Sequence, residues 1–132
     1  MAGERILIVE DNPVNMELAT DLLEIAGYTV FQAFNAECGI ETACREVPDL
    51  ILMDVGLPGM DGLEAAAILR RDAATSHVDI VVVTAHAMQG DQEKALAIGC
   101  AGYITKPIDT RSFTQTVAVF LNSPKGAAHE CS

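Results

Sequence analysis

Leu50-Ile51-Leu52-Met53-Asp54 sets four apolar residues in succession and closes on a carboxylate. No polar residue interrupts the run, so it lacks the alternation of a half-exposed strand. It suits a strand buried on both faces of a parallel sheet. Two other segments are built the same way: Arg5–Glu10, with Ile-Leu-Ile-Val at its centre, and Asp79–Thr84, with Ile-Val-Val-Val. Tyr28–Ala33 and Gly102–Thr105 are two further strand candidates.

Amphipathic stretches separate these runs. Asn12 and Pro13 read as N-cap and N1 of the first helix, and Gly27 falls just past its end. The spacing predicts Val14, Leu18, Leu22 and Ile25 as the inward face, with Asn15, Glu17, Asp21 and Glu24 opposite. In the last helix Asp109 reads as a cap, and Phe113, Val117, Phe120 and Leu121 face inward. Gln89–Ile98, built largely on alanines and bounded by Gly90 and Gly99, is the most weakly anchored helix.

Five strand–helix alternations imply an α/β fold, a single doubly wound five-stranded parallel sheet with right-handed crossovers. The flavodoxin-like order 2-1-3-4-5 is the natural candidate, and it puts the ligand crevice beyond the carboxyl ends of strands 1 and 3. The chain has 132 residues, one domain's worth, of which 50% are apolar. Residues 1–122 are expected to form the domain, and residues 123–132, rich in Ser, Pro, Gly and Ala, a flexible tail.

Eight basic residues against nineteen acidic ones give a net charge of −11, which repels phosphate backbones and argues against direct nucleic-acid binding. The apolar runs are too short to cross a bilayer, and Met1–Glu10 carries no signal-peptide pattern. Cys38, Cys44, Cys100 and Cys131 form no Cys-x-x-Cys pair and have no histidine cluster. They read as reduced, mostly structural thiols in a cytoplasmic protein.

The chemistry gathers where strands end. Strand 1 ends in Glu10–Asp11, strand 3 in Asp54, strand 4 in Thr84, and strand 5 leads into Lys106–Pro107. In a parallel sheet these ends share one edge. Like charges ~4 Å apart repel by about 4 kcal/mol at an effective dielectric near 20. Either raised carboxylate pKa values or a bound cation relieves that repulsion. An all-oxygen cluster with few protein ligands suits Mg²⁺, with Mn²⁺ as the alternative. Lys106 adds a positive charge and Thr84 a hydroxyl, which together describe a pocket for a phosphoryl group beside a metal. Asp54, on the middle strand, takes the role of nucleophile. Asp11 is then the direct metal ligand, and Glu10 acts through a bound water.

On these residues the chain resembles the two-component receiver domain, the CheY-like family, from about Arg5 to Leu121. Glu10–Asp11, Leu52-Met53-Asp54, Leu57-Pro58-Gly59-Met60-Asp61-Gly62, Thr84–Ala85, and Tyr103 followed by Lys106–Pro107 all sit in family register. Within the family it is most similar to stand-alone receivers of the DivK kind and to receivers of hybrid kinases, which often carry the Glu-Asp-Asn opening of Glu10–Asn12.

The resemblance implies that Asp54 is phosphorylated and that Asp11 and the carbonyl of Gly56 bind the metal. It implies that Thr84 and Lys106 engage the phosphoryl oxygens, and that Tyr103 is a switch aromatic that swings inward. It also implies a cis Lys106–Pro107 bond and phosphoryl transfer from a histidine kinase or phosphotransfer protein. Gly56 and His86 fall where the family varies and where the lifetime of the phosphorylated state is tuned. Met60 and Met88 read as packing or contact residues.

No output domain is expected, and the signal is expected to leave through contacts with a downstream protein. A flavodoxin would need a Gly/Ser/Thr-rich loop where Glu10–Asp11 stands. A dehalogenase-type phosphatase would need an acid at position 56, which is glycine. No P-loop or Gly-x-Gly-x-x-Gly fingerprint is present. The alternative from another class is a receiver-fold interaction module that works without phosphorylation.

Overall fold

The computed structural model describes residues 3–57, 59–60, 62–84, 89–105 and 109–122. In chain order the elements are β1 (Arg5–Val9), α1 (Pro13–Ile25), β2 (Thr29–Ala33), α2 (Ala36–Glu46), β3 (Leu50–Asp54), α3 (Gly62–Arg71), β4 (Asp79–Thr84), α4 (Gln89–Ile98), β5 (Gly102–Thr105) and α5 (Phe113–Asn122). The five strands form one parallel sheet in the order β2-β1-β3-β4-β5. The expected architecture is therefore the observed one, and β1 and β2 each lack one terminal residue of the range expected from sequence.

Alternation along the three central strands divides the core into two layers. Leu7, Val9, Ile51, Met53, Ile80 and Val82 face α2, α3 and α4. Ile6, Ile8, Leu50, Leu52, Val81 and Val83 face α1 and α5, where they meet Met16, Leu23, Phe113 and Val117. Every residue of β3 is buried, as its unbroken apolar run requires. The same two-residue period carries Glu10 and Asp54 toward the α1/α5 side, in line with Ile8 and Leu52.

Helix α1 starts as expected: the Asn12 side chain accepts from the backbone N–H groups of Val14 and Asn15, and Pro13 takes the first position. Its end is marked by Gly27 at φ 101°, a left-handed conformation that costs glycine little. Its inward face is only partly the expected one, since Leu22 packs against the core but is not at its centre. Met16, Ala19, Thr20 and Leu23 are buried, whereas Val14 is 72% and Ile25 85% exposed, with Leu18 and Leu22 half-buried. The buried set also follows i, i+3, i+4, i+7 spacing. It escapes a hydrophobicity reading because Ala19 is small and Thr20 polar. Thr20 is accommodated because its hydroxyl accepts from Gln32 Nε2 of β2 at 2.9 Å. Helix α5 keeps the expected face, with Phe113 and Val117 buried and Phe120 and Leu121 packed against them. No helix among the described residues is long and apolar enough to cross a membrane.

Candidate functional site

Two strand ends deliver the three acids. Glu10 follows the last residue of β1, Asp11 comes next, and Asp54 closes β3, the strand paired to β1. One carboxylate oxygen from each of the three can be chosen so that all lie within 4.8 Å of one another. Glu10 is 5% and Asp54 4% exposed, while Asp11 faces solvent. The convergence expected from the parallel topology is thus present for all three.

Backbone donors orient the two buried acids. Glu10 Oε2 accepts from the N–H of Asn12 at 3.1 Å. Asp54 Oδ1 accepts from the N–H of Gly56 at 3.0 Å. At an effective dielectric near 20, two unit charges at this spacing repel by about 3 kcal/mol or more. Asp11 adds less, because water screens it. The donor set is wholly oxygen, tightly grouped and open on the Asp11 side. That fits a hard cation such as Mg²⁺, which keeps several waters and takes few protein ligands.

Thr84 ends β4 and is 2% exposed. It stands next to Val83, which is paired with Asp54 and whose carbonyl accepts from the N–H of Val55 at 2.9 Å. Tyr103 lies on β5, paired with Val82, and is 39% exposed. It borders a groove shared with Asp109, Ser112 and Thr116 at the start of α5. Gly56 is exposed at the rim. Lys106, Pro107, His86, Met88 and residues 123–132 lie outside the described residues.

Beneath the acids is a small cavity, wide enough for about one water, lined by Ile8, Leu52, Val83 and Phe113 with Glu10, Asp54 and Asn15. The thiols stand apart from this site. Burial pushes the Cys100 thiol up to about 11, against a smaller opposing pull from the Arg70 guanidinium. Cys44 is raised by burial and then by Asp72, whose carboxylate accepts from its sulfur at 3.6 Å. Both therefore stay protonated at neutral pH and behave as packing groups. Cys38 is exposed, and Cys131 lies outside the described residues.

An acid cluster at the carboxyl edge of a 2-1-3-4-5 parallel sheet is the arrangement of the receiver class. The chain belongs to the response regulator receiver domain family, whose model matches residues 6–118. It is 41% identical to the polar-differentiation response regulator DivK of Brucella anthropi over 116 residues, which is 88% of this chain and 94% of that one. The DivK of Brucella ovis is 40% identical over the same shares.

Among solved structures, the receiver domain of a Pseudomonas aeruginosa sensor histidine kinase superposes with a TM-score of 0.84 at 35% identity, covering 92% of this chain and 100% of that one. That protein holds a magnesium ion in its active site cleft. A chemotaxis response regulator of Vibrio cholerae shares the fold, with a TM-score of 0.85 at 23% identity, covering 90% and 99%.

Receiver domains are in general signalling switches and not turnover enzymes. They bind Mg²⁺ at an acidic site, and Glu10, Asp11 and Asp54 form such a cluster here. They interact with kinases or phosphotransfer proteins and with downstream targets.

Proposed function

We propose that this chain is the phospho-acceptor of a cytoplasmic two-component phosphorelay, with Asp54 as acceptor and residues 1–122 as the working unit. The observation that carries the reading is the meeting of Glu10, Asp11 and Asp54 within 4.8 Å at the carboxyl edge of the sheet. One carboxylate oxygen of Asp54 forms the O–P bond as the P–N bond of a donor phosphohistidine breaks. The electron pair returns to the imidazole nitrogen, which takes a proton from solvent. The Gly56 N–H on Oδ1 orients the carboxylate for this attack.

Asp11, Asp54 and the Gly56 carbonyl would hold Mg²⁺ directly, with Glu10 acting through water. The ion supplies positive charge to the phosphoryl oxygens. Thr84 and Lys106 complete the binding of those oxygens. Movement of Thr84 toward the phosphoryl group leaves space that Tyr103 fills by turning inward. This is a population shift between two states, biased by contacts made in only one of them.

The exposed stripe of Val14 and Ile25, with Leu18 and Leu22 between, supports docking of the histidine kinase or phosphotransfer protein on α1. Exposed Leu96, Tyr103 and Val119 belong to α4, β5 and α5 and support a downstream protein contact on those elements.

The test is incubation with Mg²⁺ and a small phosphodonor, followed by intact mass. The chain gains one phosphoryl group, and Asp54→Asn does not. Stoichiometric labelling of Asp54→Asn refutes the acceptor assignment. No labelling of the parent favours an interaction module that works without phosphorylation.

A further inference from the structure

Gly62 opens α3 with its main chain against the main chain of Asp54. A Cβ added at Gly62 would stand 2.7 Å from the Asp54 carbonyl carbon, closer still to the carbonyl oxygen, and 3.0 Å from Cγ of Met53. The nearest obstacles are backbone atoms of a fully buried central strand, so no rotamer change removes them. The Gly62 N–H donates to the carbonyl of Val55 at 3.3 Å. The turn thus closed contains Gly56, whose own N–H holds Asp54 Oδ1. Leu57 within it and Leu63 just beyond it are both buried.

We infer that Gly62 is a positioning residue for the acidic site. Its missing side chain sets where the Asp54 main chain and the Gly56 turn lie, and therefore how the metal-binding oxygens are spaced. Behind Gly62, Ala65, Ala66 and Leu69 are each 0% exposed, so α3 is fixed from its buried side. Displacement by a side chain at position 62 passes mainly to the strand end and its turn. Mg²⁺ tolerates such displacement poorly, because it demands near-octahedral oxygens at ~2.0–2.1 Å. The inference rests on the reading of Asp54 as acceptor and extends it to the residue that holds it in place.

The test compares the parent with Gly62→Ala, Gly102→Ala and Asp54→Asn. Gly102 is the control. A Cβ there would meet the end of the Phe120 side chain at 2.6 Å, a close approach at the start of β5, away from the acids. Well below its melting temperature, Gly62→Ala should bind Mg²⁺ roughly 10-fold to 100-fold more weakly, the range seen when groups supporting metal ligands are lost. At saturating Mg²⁺ it should also accept a phosphoryl group from a small phosphodonor at least about tenfold more slowly. Gly102→Ala should lose stability and keep both values within about twofold of the parent.

Parent-like Mg²⁺ affinity and labelling in a merely destabilised Gly62→Ala overturn the inference. If Gly62→Ala is unfolded at the assay temperature, all proteins are measured in concentrated sucrose, which favours the compact state. A variant still unfolded there, while Gly102→Ala folds, also overturns it, because Gly62 would then serve the fold alone. Labelling of Asp54→Asn would instead defeat the acceptor assignment, and the Mg²⁺ titration of Gly62→Ala would still be read separately.

Discussion

Replacing Asp54 by Asn removes one negative charge from the acid cluster and almost no volume. The Gly56 N–H keeps an acceptor, because the Asn side-chain oxygen can occupy the position of Oδ1, now 3.0 Å from that nitrogen. What changes is charge. The Glu10 and Asp54 oxygens lie within 4.8 Å, so their repulsion at an effective dielectric near 20 is about 3 kcal/mol or more. The positive charge expected of Lys106, relaxation and solvent offset part of this, and a neutral amide is cheaper to bury than a carboxylate. The metal-free variant should therefore be more stable than the parent by roughly 1–3 kcal/mol.

For a chain of this length that corresponds to about 3–12 °C in melting temperature. The assay is a thermal melt at pH 8 in a chelator, repeated in millimolar Mg²⁺. Mg²⁺ should raise the melting temperature of the parent, by about 2.7 kcal/mol of stabilisation at one hundred times its dissociation constant. The rise should be much smaller in the variant, which has lost a ligand. A variant less stable than the parent in chelator, or an undiminished Mg²⁺ increment, would refute the account of the cluster as mutually repelling acids held together by a cation.

Leu23→Ala should cost about 2–5 kcal/mol, because Leu23 is fully buried, whereas Ile25→Ala should change stability by no more than about 0.5 kcal/mol; urea denaturation of the pair checks which face of α1 is inward. Asn12→Ala should cost about 1 kcal/mol through loss of the cap on Val14 and Asn15, read by the same method. The Cys100 thiol has its folded pKa raised from 9.0 to about 11, so its contribution is fully present below pH 9 and is lost as pH rises through about 11. The fall in stability across that window should be smaller in Cys100→Ala. Lys106→Ala should leave Mg²⁺ binding intact and weaken the response to phosphorylation, measured as the change in Tyr103 fluorescence on adding a phosphodonor, in a Tyr28→Phe background that leaves Tyr103 as the one tyrosine.

The sheet was legible because its signal is local and strong. Unbroken apolar runs such as Leu50–Met53 admit few readings, and the strand–helix alternation implies a parallel sheet, for which 2-1-3-4-5 is the natural candidate order. The acids were legible for a related reason: parallel strands align their ends, so carboxylates closing β1 and β3 have to meet. The inward face of α1 was not legible, since two apolar stripes share that helix and the more hydrophobic one lies outside. Choosing between them requires knowing that Thr20 finds Gln32 on a neighbouring strand, a contact between residues 12 positions apart. Gly62 was visible as part of a motif, but its role was hidden. What matters there is the closeness of two backbones, and residue identity carries no record of distance.

Asn12 has two duties within one residue. Its side chain closes off the first turn of α1, and its backbone N–H grips Glu10 Oε2. The entrance of that helix and one arm of the acid cluster are therefore one mechanical part. A protein that leans on the opening turn of α1 leans, through a single hydrogen bond, on the carboxylate that would steady a water on the cation. Grip on the outside of the molecule and tension at its chemical centre are separated by only one peptide unit.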